Sequence, residues 1–139
     1  MIHLLLLAAL TAVAFAAGRL LLSAEAKAYL PAIAVQSGEI VWIGAAALLT
    51  GAPPLALVDL FVLVLGVAWL VLQPELRAVL FLTVFQAVML AVNGWELADA
   101  GFDVVQHQAL AVHAVWRVIA LGLMWQAYFT SPSRPASAS

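Results

Sequence analysis

The sequence predicts an all-α protein, a polytopic bundle of five transmembrane helices, and three observations lead there. Of 139 residues, 67% are hydrophobic and only 9% charged, too little polar surface for a water-soluble globule to cover itself. The apolar residues run in stretches near the ~20 residues needed to cross the hydrocarbon core of a bilayer. Gly, Pro and the charged residues gather between those stretches, where they interrupt helices.

Taken in order, the first span covers about residues 2–20 and closes at Gly18-Arg19. The polar turn SAEAKAY leads into the second, 28–50, and Gly51-Ala52-Pro53-Pro54 turns the chain into the third, 55–73. Pro74-Glu75 ends that helix, because proline cannot continue the hydrogen-bond ladder and restricts the residue before it. The fourth span, 77–98, runs out in ADAGFD, and the fifth occupies 106–129. Residues 1–130 thus form one bundle, and the tail SPSRPASAS, 131–139, reads as disordered and cytoplasmic. No internal repeat is visible. A cleaved signal peptide is the alternative for the first segment, whose apolar core is followed by Ala14, Ala16 and Ala17, and it would leave four spans. Such a peptide needs a basic amino-terminal region, and only the terminus and His3 precede the leucines, so the helix is expected to be retained.

Positive residues near span ends are kept in the cytoplasm. With five spans, Arg19, Lys27, Arg77 and Arg134 share one side, while the amino terminus, the GAPP turn and ADAGFD on the other carry no Lys or Arg. A multi-pass protein of the cell membrane is expected, amino terminus outside and carboxyl terminus inside. Trp95 toward the outer boundary, and Tyr29, Trp69, Trp125 and Tyr128 toward the inner one, suit the interfacial preference of aromatic residues. A net charge of −2 offers no basic face to nucleic acid. With no cysteine, thiolate metal sites, iron–sulfur clusters and a Cys nucleophile are excluded.

The stretch VQSGEIVW puts Glu39 at the middle of the second span, at the level of Arg117 in the fifth. Gln86 also lies near the midplane, with Asn93 and Glu96 farther out on the same face of the fourth span. Gln106, His113 and Arg117 form a stripe on the fifth, and Gln36 and Glu39 lie one turn apart on the second beside Gly38. A charge at a helix centre costs about 2.5–3.5 kcal/mol on insertion scales, so these residues should turn inward and find partners. Glu39 is expected to pair with Arg117, whose guanidinium has donors over for Gln86 or a backbone carbonyl. The pair reads either as a clasp that fixes helix packing or as a binding and proton-moving centre. His113 reads either as a proton carrier or as a histidine hydrogen-bonded within the bundle. His113, Asn93, Glu96, Asp59 and His107 lie between that pair and the outer surface, where they read as the lining of a shallow cavity open to the outside, although Asp59 and Glu96 lie near enough to the outer boundary to be read instead as solvated.

Binding or proton-relay candidates are therefore Glu39, Gln86, Asn93, Glu96, His113 and Arg117; no catalytic residue and no metal ligand is assigned. A zinc site from His3, His107 and Asp103 lacks a close ligand pair such as HxxxH. Haem wants two axial ligands at one depth, and His113 lies deeper than His3 and His107. No cofactor is required by the sequence.

GEIVWIGAAALLTGAPPLALVDLFVLVLGVAWL, residues 38–70, resembles the central hairpin of DoxX-like small membrane proteins: a glutamate opening a helix rich in small residues, a Gly-containing turn and a second apolar helix. The resemblance rests on Glu39, Gly44, Gly51 and the turn, about a quarter of the chain. It implies a four-helix protein and a role beside quinone-linked oxidoreductases; five spans depart from that count. The expected function is a non-enzymatic membrane subunit or a bundle binding a lipophilic small molecule, such as a quinone or lipid. Its partners would be the bilayer, other membrane subunits or further copies of itself. The alternatives are a small proton-coupled transporter using Glu39, His113 and Arg117, and a membrane-embedded isomerase in which Glu39 or Glu96 exchanges protons with a carbon skeleton.

Overall fold

The computed structural model describes residues 2–51, 54–100 and 105–131, with the backbone alone at 50, 100 and 105–107. They form five helices: α1 (Ile2–Leu21), α2 (Leu30–Thr50), α3 (Pro54–Leu72), α4 (Leu76–Ala100) and α5 (Val105–Thr130), with a 3-10 turn at Ala26–Tyr29 leading into α2. Each helix is long and apolar enough to cross a membrane. The limits fall within a few residues of the sequence reading. The turn and link residues 52–53 and 101–104, and the tail residues 132–139, lie outside the described residues.

Local chemistry sets the ends. Ser23 Oγ accepts from the Ala26 amide (3.2 Å) and organises the first turn, and Pro31 sits in the opening turn of α2, where its missing N–H is no loss. Gly51 caps α2 with φ 75°, its amide reaching the Ala47 carbonyl, a conformation that favours glycine at a helix C-terminus. Pro74 closes α3 after the Gln73 amide has bonded the Trp69 carbonyl.

Helices α2, α3, α4 and α5 pack in a ring in which each touches the next and α5 closes on α2. Helix α1 lies outside the ring, antiparallel against α2: Gly18 meets Leu30, Thr11 meets Gly38, and His3 meets Trp42. Leu7 is its one buried residue. Apolar side chains such as Leu5, Leu48, Phe61, Val84 and Val118 are exposed, at least one on every helix, as a lipid-facing surface requires.

One end of the ring is packed solid. Ile33, Leu63, Val67, Leu70, Val79, Leu82 and Met124 form its core. Gly66 lets Leu82 lie against the α3 backbone, and Trp125 Nε1 donates to Thr83 Oγ1 (3.0 Å), tying α5 to α4. The opposite end, where α2 and α4 finish and α3 and α5 begin, encloses a cavity.

Candidate functional site

Three helices deliver charge to the middle of the ring. Glu39 of α2 is fully buried, Arg117 of α5 is 1% exposed and Asp59 of α3 is 7% exposed. The Arg117 Nη2 donates to Asp59 Oδ2. Its Nε lies 3.0 Å from Glu39 Oε1, a close charge contact whose N–H direction falls short of a hydrogen bond. His113, one turn before Arg117, places Nδ1 3.5 Å from the same Glu39 oxygen.

The expected Glu39–Arg117 pair is therefore formed, and a second carboxylate joins it. That corrects the reading of Asp59 as a solvated outer residue. It is the one charged residue of α3, and an apolar helix with a single carboxylate turns that group toward the nearest cation because lipid offers nothing. The long Arg117 side chain reaches both acids. The arrangement also corrects the role given to Gln86: its amide is fully buried but makes no hydrogen bond, to Arg117 or elsewhere, and Asp59 takes the spare guanidinium donor. Gln36 is buried in the same way.

Beside the cluster lies a cavity of about 300 Å³. Asp59, His113 and Arg117 form part of its lining; Trp42, Ala47, Leu55, Met89 and Leu110 supply apolar wall, and Asn93 and Glu96 of α4 complete it. Asn93 is 7% exposed and buried against the cavity, whereas Glu96 is exposed, in keeping with its reading as solvated. The Trp42 ring sits between two imidazoles, 5.1 Å from His3 and 6.4 Å from His113 between centroids.

Of the six candidates, Asn93, Glu96, His113 and Arg117 line the cavity, Glu39 stands behind His113 and Arg117, and Gln86 lies elsewhere in the interior. Sequence reasoning missed Trp42 as a site residue, and it set the cavity-lining reading of Asp59 behind the solvated one. The lone charge in α3 was the signal for Asp59; Trp42, three residues after Glu39, has no such mark. Gln106, the outer member of the stripe, and His107 have no described side chains, and Asp103 lies outside the described residues, so of the zinc group weighed above only His3 is described, beside Trp42. Among the described residues no three His, Asp or Glu side chains converge as metal ligands.

The arrangement can anchor a polar group at the bottom of an apolar cleft. Asp59 Oδ1, Glu39 Oε2 and Arg117 Nη1 are buried and have no hydrogen-bond partner in the protein, so both donor and acceptor capacity remain. Comparison with known protein families, characterised proteins and solved structures gives no match.

Proposed function

We propose that this membrane protein is a non-enzymatic bundle that holds a lipophilic small molecule. The observation that carries the reading is the cavity itself: apolar walls from four helices lead to buried, incompletely bonded Asp59 and Arg117, the combination of shape and few convergent polar groups found in ligand sites. An apolar body would lie against Ala47, Leu55, Met89 and Leu110, with its polar end at the guanidinium and carboxylates. The likeness of residues 38–70 to DoxX-like proteins supports a quinone as one such occupant, and a membrane subunit beside an oxidoreductase as one setting. Since Arg19, Lys27 and Arg77 sit at the packed end, the positive-inside rule supports a cavity facing the outside.

The test is to purify the full chain in mild detergent and identify by mass spectrometry what accompanies it. One lipophilic molecule is expected at near-equal stoichiometry, and Ala47→Trp, which fills the cavity, should release it without lowering the unfolding temperature. Retention of the molecule in that variant, or a protein that carries none and takes up none, would overturn the reading. Orientation is checked by a reporter after Ser139, expected in the cytoplasm, and a tag between Asp99 and Asp103, expected outside; both on one side would refute it.

The contact between His113 and Glu39 favours a second reading in which the bundle moves a proton with its ligand. The charge balance of the site bears on it.

A further inference from the structure

The buried cluster contains more negative charge than fixed positive charge. Glu39 and Asp59 face one guanidinium, Arg117, so with both acids ionised and His113 neutral a net negative charge lies within the ring. A buried charge without compensation is strongly unfavourable. Within the cluster Glu39 Oε2 and Asp59 Oδ1 have no hydrogen-bond partner, and neither has Arg117 Nη1. Asp59 and Arg117 are both at least nine-tenths buried and both line the cavity.

Four helices of the ring each present a titratable group to the cluster or its cavity. Glu39 comes from α2, Asp59 from α3, Glu96 from α4 at the exposed end of the cavity, and His113 with Arg117 from α5. From α1, His3 reaches the far side of Trp42. Arg117 is the one permanent cation among them, and two carboxylates already flank it. The cavity is thus an apolar cleft of negative character with an indole in its wall, which attracts cations through its ring face.

We infer that the cavity accepts a lipophilic monocation, such as a quaternary or protonated amine on an apolar body, in exchange for one proton held by the Glu39–Asp59–His113 cluster. The inference rests on the reading of the cavity as a ligand site and names the ligand's class. Without the ligand, one proton on the cluster offsets the surplus charge, and His113 at 3.5 Å from Glu39 gives it a second place to reside. The arriving cation takes over that compensation, the proton leaves for water through the open end, and the charge of cluster plus occupant is unchanged. No bond other than that to the proton is made or broken.

Calorimetry on the full chain in mild detergent tests this with benzyltrimethylammonium, which carries no acidic proton, and neopentylbenzene, its neutral isostere. Titration in two buffers of different ionisation enthalpy counts protons released. About one proton per bound cation is expected, with affinity rising about tenfold per pH unit where the release is complete; the isostere should release none. Asp59→Asn should weaken the cation at least tenfold, abolish proton release and leave the isostere unaffected. The wild-type proton count decides the exchange whether or not that variant folds. Cation binding without proton release, or binding of the isostere as tight as the cation's, would overturn the exchange while leaving the cavity a ligand site. Failure of the cation, the isostere and a short-chain quinone alike would overturn both.

Discussion

The two ends of the ring are built from the same four helices and solve opposite problems. At one end Ile33, Leu63, Leu70, Val79, Leu82 and Met124 pack into an apolar cluster, and Gly66 removes even a Cβ so that Leu82 can settle. At the other, Ala46 and Ala47 give the cavity part of its wall, and packing is looser on the same helix: a Cβ on Gly44 would meet only Leu60, at 3.9 Å. Glycine therefore has different meanings within one bundle. Near Leu82 it permits close packing; at position 44 it leaves slack against Leu60. Specificity of helix packing comes from the solid end and from the charge cluster at the middle, which frees the open end to be shaped for something else.

The largest expected effect breaks the charge cluster. Arg117→Gln leaves two buried carboxylates facing each other and should lower stability in detergent by about 3–5 kcal/mol. Glu39→Gln should cost clearly less, because Asp59 still neutralises the guanidinium. In the double variant the coupling should be about 1–3 kcal/mol, yet recovery stays incomplete with Asp59 unpaired; thermal unfolding of the four proteins measures all of this. Equal losses from Arg117→Gln and Glu39→Gln would show that Asp59 does not share the cation.

Next come the glycines, which compare the two ends directly. Gly66→Ala drives a methyl into Leu82 and should cost about 1–3 kcal/mol, and Gly38→Ala should do the same against Thr11, whose Oγ1 would lie 2.6 Å from the new Cβ. Trp125→Phe removes the bond to Thr83 and should cost about 1 kcal/mol, detectable as a modest drop in unfolding temperature. The smallest effect is of opposite sign. Gly44→Ala, on a helix with room for a methyl beside Leu60, should stabilise by about 0.4–1 kcal/mol. A loss at Gly44 as large as that at Gly66 would erase the distinction between the ends.

The spans were legible because bilayer thickness and proline leave little freedom in where an apolar helix starts and stops. The Glu39–Arg117 contact was legible for a related reason: two opposite charges at one depth have nowhere else to go. Asp59 was harder. Its depth along α3 places it above the midplane, and only the reach of an arginine side chain, which depth alone does not register, brings it into the cluster. Gln86 shows the converse, a buried polar residue at the right level that makes no hydrogen bond with Arg117. Which helices adjoin depends on ring order, and ring order is a property of packing among nearly uniform apolar faces, too weakly patterned along this chain to be read in advance. The peripheral place of α1 was invisible for the same reason.

The order of the cluster along the chain has a consequence for its biogenesis. Both acids are synthesised before the cation, and Arg117 follows Asp59 by 58 positions. At ~5–20 residues per second, two carboxylate-bearing helices wait seconds in the translocation machinery or bilayer before their counter-ion exists. The hairpin of α1 and α2 packs Thr11 against Gly38 beside Glu39, but the counter-ion comes only when α5 enters. The last helix therefore acts as the closing step of assembly, because a chain that stops before it holds both acids without their cation.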